Sequence, residues 1–271
     1  IFITMKRILL VGKRGFLGNY LNKYLSKKFQ IKFISFKEIS NLKKTIIKYD
    51  YIINTSINKN YINKKYHKNF DNDFHISSFL DPKKNTLIFF SSRKVYKSKE
   101  NIKESSKLNP LSNYSKNKLI TENFLKNKLK SNLLILRISN IIGFKKKQKN
   151  LHSTFVDMFY EKAKKGFIYD NGNKFKDFLS IQKFSQILEM IIRKDLRGIY
   201  NVSIGRKIYL SEIIDWLNRY NKKPVKVIRY RSSKNQSFYL NNKKLMSKIK
   251  IKNELSELKK ECLILSRKLF N

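Results

Sequence analysis

The chain has 271 residues and a formal net charge of +42, from 61 Lys and Arg residues against 19 Asp and Glu residues. Its hydrophobic fraction of 41% excludes a generally disordered chain, and its apolar runs are too short to predict a membrane span. A single cysteine, Cys262, and three scattered histidines exclude an internal disulfide framework and predict no metal site. The first five residues are too short for a signal peptide, so we expect a globular protein of the reducing cytoplasm.

The positive charge by itself is typical of proteins that bind nucleic acid. Lys supplies most of it, however, whereas proteins that read bases and phosphates favour the forked guanidinium of Arg. The basic residues are also spread along the whole chain, beside a parallel excess of Asn and Ile that AT-rich codons would produce. Compositional drift is therefore favoured over a nucleic-acid role. A polyanion-binding protein without catalysis is the alternative.

The first predicted element is a strand over Ile8–Val11, which ends at a glycine. Two more glycines follow at three-residue intervals, and the apolar residues after them repeat at the spacing of a helix. Such a turn lets a pyrophosphate approach bare backbone at the N-terminus of the helix. The pattern therefore predicts a nucleotide-binding loop. Its predicted cofactor-binding residues are Gly12, Arg14, Gly15, Phe16, Leu17 and Gly18.

The second predicted strand, Ile31–Ser35, ends without an acid. In NAD-binding units an acid at this point holds the 2′-hydroxyl of the ribose. Here the sequence continues through Phe36 and Lys37, and the first acid is Glu38. Because a hydroxyl and an ammonium suit a 2′-phosphate, we predict that Ser35 and Lys37 bind the cofactor and that NADP is favoured over NAD. Ordinary basic surface is the other interpretation of these residues.

Helical and strand patterns then alternate, which predicts a parallel sheet with right-handed crossovers. The predicted helices cover Leu42–Tyr49, a polar stretch to about Leu80, and Leu111–Lys130; the predicted strands cover Tyr51–Thr55, Thr86–Phe90 and Leu133–Ile138. Beyond about Asn150 the alternation is looser. There the predicted helices lie near Thr154–Lys165, Gln182–Arg193, Ser211–Tyr220 and Leu255–Leu269, and the predicted strands near Ile199–Val202 and Val225–Ile228.

This order of elements predicts an α/β fold with a doubly wound parallel sheet of the Rossmann type. We expect residues 5–150 to form the dinucleotide-binding domain. Residues 151–271 are predicted to form a smaller α/β substrate lobe that does not fold independently.

The predicted helix over Leu111–Lys130 places a phenol and an ammonium, Tyr114 and Lys118, four residues apart on one face. A cation there lowers the pKa of the phenol, so that it can exchange a proton with an alcohol or a ketone near neutral pH. The chain has this spacing six times. Only Tyr114 lies just after a strand that ends in paired serines, Ser91 and Ser92, at the carboxyl edge of the sheet, where such folds bind ligands.

These motifs occur in the order of a known family. The chain resembles an extended short-chain dehydrogenase/reductase of the nucleotide-sugar epimerase, dehydratase and reductase group, and the resemblance runs nearly from end to end. The segments that carry it are Gly12–Gly18, Asn72–Ile76, Ser91–Tyr96, Asn109–Leu111, Tyr114–Lys118, Leu136–Gly143, Lys176–Ile181 and Gly198–Val202.

The resemblance implies roles for four catalytic residues. Tyr114 would be the acid/base, and Lys118 would lower its pKa and bind the nicotinamide ribose. Ser92 would hydrogen-bond the substrate oxygen, and Asn72 would hold a relay water. The structural alternatives are a capping role for Ser92, a turn for Asn72 and a solvated Lys118.

The resemblance also implies that Asn140 faces the diphosphate of a sugar nucleotide and that Lys176 stands where the family has a phosphate-binding Arg. A lysine keeps the charge but loses the bidentate geometry. Arg93 and Lys94 stand where the dehydratases of the group carry Asp and Glu, which argues against dehydration. Reduction of a 4-keto sugar, or 4-epimerisation by transient oxidation, is what the resemblance leaves. The preference for NADP favours the reductase, and a homodimer is an expectation from the family alone.

Overall fold

The structure, a computed structural model, describes residues 5–143, 154–170, 174–229, 237–252 and 254–270. Within them the chain forms two compact units. Unit 1 takes the described parts of Ile1–Lys97, Lys107–Arg137 and Ser185–Tyr200; unit 2 takes those of Ser98–Ser106, Ile138–Phe184 and Asn201–Asn271. The predicted boundary between residues 150 and 151 lies outside the described residues, and the division into cofactor and substrate regions stays a prediction.

The strands are β1 (Arg7–Val11), β2 (Gln30–Ile34), β3 (Tyr51–Asn54), β4 (Thr86–Ser92), β5 (Leu133–Ile138), β6 (Asn140–Ile142), β7 (Phe167–Asp170), β8 (Phe175–Lys176), β9 (Phe178–Ser180), β10 (Gly198–Val202), β11 (Ile208–Tyr209) and β12 (Lys226–Arg229). The α-helices are α1 (Phe16–Leu25), α2 (Lys59–Asn63), α3 (Asn72–Ser77), α4 (Asn113–Leu129), α5 (Phe155–Lys165), α6 (Ile181–Arg193), α7 (Leu210–Asn218), α8 (Lys243–Ile249) and α9 (Leu255–Phe270). Short 3₁₀ turns cover Phe36–Leu42, Ile46–Lys48, Lys68–Phe70, Arg93–Val95 and Lys130–Asn132.

A six-stranded sheet in the order β10-β5-β4-β3-β1-β2 confirms the predicted Rossmann-type fold. The strand β1 pairs in parallel with β2 on one side and with β3 on the other, and β3 pairs in parallel with β4. The chain therefore adds β2 on one side of β1 and then β3 on the other, so the order of the strands reverses at the position between β1 and β3. In doubly wound folds the crevice at this reversal, at the carboxyl ends of the strands, is where ligands bind.

The central strands are mostly apolar because the sheet is covered on both faces. Ile8, Leu9, Leu10 and Val11 of β1 are all fully buried, so no polar residue alternates with them. The helix α4 contributes Leu125 and Leu129 to the same core. This packing fixes the carboxyl edge of the sheet, where the predicted site residues lie.

Two predicted helices differ in the structure. The segment predicted as a helix over Leu42–Tyr49 lies in 3₁₀ turns, and the polar stretch before Leu80 is divided into α2, a 3₁₀ turn and α3. The side chains of Asn58 and Asp71 accept backbone N–H groups at the starts of α2 and α3. Because Asn and Asp favour caps over helix interiors, they begin new helices here instead of continuing one.

Unit 2 has a core of its own, in which α5, α7 and α9 contribute Phe159, Leu217 and Leu265. Cys262 is buried in this core, and burial raises the pKa of its thiol to about 12. Among the helices that the structure describes, none is both long enough and apolar enough to cross a bilayer. Within the same residues, no three His, Cys, Asp or Glu side chains come together as a metal ligand set.

Unit 1 contains a buried ion pair between Arg137 of β5 and Glu122 of α4. The guanidinium donates from Nε at 3.1 Å and from Nη2 at 2.6 Å to the two carboxylate oxygens. Ser91 donates to the same carboxylate at 2.5 Å, and Tyr96 accepts from Arg137 at 2.8 Å. Burial opposes the charge of Arg137, but the bonds to Glu122 raise its pKa above the ordinary value. The pair therefore binds α4 to strand β5 of the sheet.

We expect Glu122→Gln to lower the free energy of unfolding by about 3–5 kcal/mol, because the buried guanidinium loses its countercharge. Replacing both partners by apolar residues, in Glu122→Leu combined with Arg137→Met, should cost less than either single change. Denaturant titration of Glu122→Gln, Arg137→Met and the double variant measures these differences. A loss below about 1 kcal/mol in both single variants would show that the pair does not hold α4.

Candidate active site

The loop after β1 folds tightly against the ends of β2 and β3. The backbone N–H groups of Gly12 and Lys13 donate to the carbonyl of Ile34, at 2.9 and 3.1 Å. Gly12 has a φ of +126°, and a Cβ there would overlap Oγ1 of Thr55. A Cβ on Gly18 would lie 2.5 Å from the carbonyl oxygen of Gly12. Both glycines are therefore required by the packing of the protein itself.

Gly15 differs from the other two glycines. It is the N-cap of α1 with a φ of −85°, and a Cβ on it would meet only ordinary contacts, at 3.5 Å from the Gly12 carbonyl and 4.0 Å from the Thr55 carbonyl. Neither strain nor packing requires glycine here. A ligand that approaches the backbone would require it, and the N-terminus of a helix attracts a diphosphate. The loop thus fits the phosphates of a dinucleotide.

An acid lies at the tip of β2 after all. Glu38 accepts from both the backbone N–H of Ser35, at 2.8 Å, and its hydroxyl, at 2.6 Å. These hydrogen bonds, and the nearby charges of Lys13 and Lys32, lower the pKa of Glu38 and keep it ionised. The carboxylate of Glu38 is therefore held at Ser35, the residue after Ile34. The glycine loop donates to the carbonyl of Ile34. Lys37, which lies between Ser35 and Glu38 in the sequence, is exposed.

The predicted catalytic pair lies in the first turns of α4. Ser112 caps this helix by accepting from the N–H of Ser115, and Asn117 donates to the carbonyls of Tyr61 and Lys64 at 2.8 and 2.9 Å. Tyr114 is the second residue of the helix, and Lys118 lies one turn further on the same face. These bonds fix the start of α4, and with it the position of the phenol.

Lys118 is buried beside an acid and two aromatic rings. Its Nζ lies 3.9 Å from Oδ2 of Asp73, 4.5 Å from the ring centre of Phe89 and 5.4 Å from that of Tyr61. The side chains of Lys118 and Asp73 are only 8% and 7% exposed. Lys118 is therefore not the solvated surface lysine of the structural alternative, but a cation held inside unit 1.

Ser92 reaches the same region from the end of β4. Its Oγ accepts from the N–H of Lys94 at 3.2 Å and so caps the following 3₁₀ turn. The ammonium of Lys94 lies 5.7 Å from the ring centre of Tyr114. Lys94 therefore contacts both the hydroxyl of Ser92, through its backbone N–H, and the ring of Tyr114, through its ammonium. The capping role weighed for Ser92 is present, and it uses only the acceptor side of the hydroxyl.

A chain of polar contacts runs from Asn72 to Lys118. Asn72 donates to Ser56 at 2.8 Å, and Ser56 donates to Asn54 at 2.6 Å. Asn54 in turn donates to Oδ1 of Asp73 at 3.0 Å, and Oδ2 of the same carboxyl faces Lys118. Asn72 thus contacts Lys118 only through this chain. The neighbouring Asp73 is the residue beside the ammonium.

The segment Asn54–Ser56 also contacts the glycine loop. Thr55, between the two polar residues, donates to the Val11 carbonyl at 2.9 Å and fills the space beside Gly12 and Gly18. One segment, at the end of β3, therefore supports the candidate phosphate loop on one side and the Asp73–Lys118 pair on the other.

The two predicted diphosphate contacts lie in unit 2. Asn140 of β6 donates to the carbonyl of Asp177 at 3.2 Å, and Lys176 is the residue before Asp177, paired with Ile208 of β11. The carboxylate of Asp177 accepts the N–H of Leu240 at 3.0 Å, among other backbone donors. The structure therefore bonds Asn140 to the residue that follows Lys176 in the chain.

The sequence patterns did not single out Asp73 or place Glu38 correctly. The signal for Asp73 is the cap: Asp71 accepts from the N–H groups of Asp73 and Phe74, which sets the first turn of α3. The signal for Glu38 is the Ser-x-x-Glu pattern of a capping box, which folds the glutamate back onto Ser35.

The description of a protein family, the NAD dependent epimerase/dehydratase family, matches residues 8–203. No curated protein matches the chain. Among solved structures, similar chains include a UDP-N-acetylglucosamine 4-epimerase from Methanobrevibacter ruminantium M1 in complex with UDP-N-acetylmuramic acid (18% identity, 97% of each chain covered, TM-score 0.79). Another is RMD from Pseudomonas aeruginosa complexed with NADPH (17% identity, 98% of this chain and 97% of that chain, TM-score 0.76). A third is a dTDP-4-dehydrorhamnose reductase from Clostridium acetobutylicum ATCC 824 (18% identity, 96% of this chain and 99% of that chain, TM-score 0.76). At these identities the likeness shows the shared fold.

Proposed function

Because the chain belongs to the NAD dependent epimerase/dehydratase family, we propose that it transfers hydride at a keto or hydroxyl carbon of a nucleotide-activated sugar. The observation that carries the proposal is the segment Asn54–Ser56, which supports both the glycine loop and the Asp73–Lys118 pair. A dinucleotide whose phosphates lie at Gly15 would extend along the carboxyl edge of the sheet towards Tyr114. A nicotinamide cofactor, when bound, supplies the hydride acceptor or donor.

In this proposal Tyr114 moves the proton. Its phenol takes the proton of the sugar hydroxyl as the carbon is oxidised and returns it when the ketone is reduced. The ammonium of Lys94 lies 5.7 Å from the ring centre of Tyr114, and Lys118 lies one turn further along the same face of the helix. Ser92 donates its O–H to the sugar oxygen, since its acceptor side already bonds Lys94.

Unit 2 residues supply the substrate contacts of the proposal. Asn140 bonds the residue that follows Lys176, and an amide and an ammonium suit a diphosphate. With this assignment, residues 5–150 bind mainly the dinucleotide and residues 151–271 mainly the sugar nucleotide. We place the enzyme in the cytoplasm, in the synthesis of precursors for surface polysaccharide.

Two reactions use this machinery, 4-keto reduction and 4-epimerisation. The reductase is favoured by the NADP preference predicted from Ser35 and Lys37. The carboxylate of Glu38 supports the other reaction, because it would repel a 2′-phosphate and accept a hydrogen bond from a 2′-hydroxyl. An epimerase retains NAD through its cycle, whereas a reductase consumes reduced cofactor. Spectroscopy of the purified protein distinguishes them: bound NAD supports the epimerase, and stoichiometric NADPH oxidation with a 4-keto sugar supports the reductase.

We expect Glu38→Gln to shift the ratio of the NADPH and NADH dissociation constants about fivefold in favour of NADPH, because one negative charge near the 2′-position is lost. Fluorescence titration with both cofactors measures the ratio. Glu161→Gln, which removes an exposed acid paired with Lys164 in unit 2, is the control. An unchanged ratio in Glu38→Gln would show that Glu38 does not select between the cofactors, and Ser35 and Lys37 would remain the residues proposed to do so.

A further inference from the structure

Asp73 is an acid that neither the sequence patterns nor the proposed reaction requires. Its side chain is 7% exposed, and its two oxygens face different partners. Oδ1 accepts from Asn54 at 3.0 Å, and Oδ2 lies 3.9 Å from Nζ of Lys118. The amide of Asn54 is itself fixed by Ser56. The carboxyl is thus held in one orientation, with one oxygen directed at the ammonium.

The charged and titratable groups that face Asp73 come from several elements. Lys118 of α4 attracts the carboxylate, whereas Asp71, the cap of α3, repels it. Tyr61 of α2, whose ring centre lies 5.4 Å from Nζ of Lys118, interacts electrostatically with Asp73 and with Tyr114. Burial, the largest effect, raises the pKa of Asp73 to about 7, although Lys118 and Asn54 oppose the rise. The carboxyl therefore changes its charge near neutral pH.

We propose that Asp73 is a positioning residue for Lys118, which holds the ammonium beside Phe89 and Tyr61 and sets how strongly it acts on the phenol of Tyr114. This inference rests on the proposed function. It adds that Asp73 sets the pH range in which the enzyme is active. When Asp73 is ionised, it offsets part of the positive field of Lys118 at Tyr114. When Asp73 is protonated, Lys118 acts in full.

The sign of the effect follows from these charges. An ionised Asp73 offsets part of the positive charge of Lys118, whereas an uncharged residue at position 73 does not. Asp73→Asn keeps the size of the side chain and an oxygen for Asn54, but removes the charge. The charge of Lys118 would then act on the phenol in full. The acid limb of kcat/KM for oxidation of a sugar hydroxyl should therefore move to lower pH, by about 0.5–1 pH unit.

The test is the pH profile of kcat/KM from about pH 5 to about pH 9 for the wild type, Asp73→Asn and Glu189→Gln. Glu189 is a matched control in the same unit, an acid bonded to Arg193 and Tyr24. We expect a change only in Asp73→Asn, with kcat/KM rising about 3–10-fold above about pH 7, where Asp73 of the wild type is ionised. A uniform loss at every pH, with the limb in place, would mean a purely structural role and would overturn the inference.

A second readout needs neither substrate nor cofactor. Between pH 3.8 and about pH 7 the folded protein holds a proton on Asp73 that the unfolded chain has lost, so rising pH destabilises the wild type through this window. Asp73→Asn lacks this effect. The Tm of the wild type minus that of the variant should fall across the window by about 2 °C or more. A constant difference would overturn the assigned charge change.

The two readouts separate the two hypotheses. A wild type that turns over no nucleotide sugar with any nicotinamide dinucleotide would refute the proposed function, and with it the role of Asp73 in setting the pH range. Turnover with an unmoved limb in Asp73→Asn would refute the role of Asp73 alone.

Discussion

Replacing Tyr114 by Phe is expected to lower kcat about 10²–10⁴-fold, the usual contribution of a positioned acid/base. Only the phenolic oxygen is removed, so the ring keeps its place beside Lys94 and the helix keeps its cap at Ser112. Cofactor affinity and the free energy of unfolding should therefore change little. Steady-state kinetics with the nucleotide sugar that proves to be the substrate, together with cofactor titration, measures both quantities.

The chain supplies a matched control for this change. Tyr160 of α5 also has a lysine four residues on, and Nζ of Lys164 lies 4.8 Å from its ring centre. Tyr160→Phe thus removes the same atom from the same local motif in unit 2, and it should leave kcat within about twofold of the wild type. Full activity in Tyr114→Phe, or an equal loss in both variants, would contradict the assignment of Tyr114.

A methyl group at Gly15 is expected to weaken dinucleotide binding without unfolding the protein. Its Cβ would meet the Gly12 and Thr55 carbonyls only at ordinary contact distances, so we expect a stability change within about 1 kcal/mol. The same atom would occupy the space through which a phosphate reaches the first N–H groups of α1. Losing such a charge-assisted bond corresponds to about a 10–100-fold rise in Kd.

Gly18→Ala should behave in the opposite way. The added Cβ would lie 2.5 Å from the Gly12 carbonyl oxygen, a backbone atom that cannot move aside, and overpacking of this kind costs about 1–3 kcal/mol. Thermal unfolding and cofactor titration of the two variants give the comparison. If Gly15→Ala destabilises the protein as much as Gly18→Ala does and still binds the cofactor, the loop is structural and holds no phosphate.

The sheet and the glycine loop could be predicted because their signals are local. The apolar run of β1 ends at Gly12, and the apolar run of β3 is followed by Thr55. Both runs are visible in the sequence, and the structure places Thr55 beside Gly12. The pair Tyr114 and Lys118 needed one further inference, that β4 ends beside the start of α4. The alternation of strands and helices supplies that inference, because crossovers are right-handed and return to the same edge.

The residues that sequence patterns did not locate depend on the exact register of short elements. A helix turns by about 100° per residue, so the start of α3 decides whether Asn72 or Asp73 faces Lys118. The cap at Asp71 sets that start, and it selects Asp73. Glu38 was misplaced for a similar reason, since a 3₁₀ turn brings it back to Ser35. The contact of Arg137 with Glu122 joins residues from β5 and α4, and no spacing rule predicts it.

The most direct test of the proposed function is the Tm of the purified protein with NAD, NADH, NADP and NADPH, repeated with UDP-, dTDP- and GDP-sugars. At about 100 times its Kd, one dinucleotide should raise the Tm of the wild type by about 5 °C and that of Gly15→Ala by much less. A nucleotide sugar should raise it further. If no dinucleotide changes the Tm at any concentration, the chain keeps the fold of its family without its cofactor, and the proposed hydride transfer is wrong.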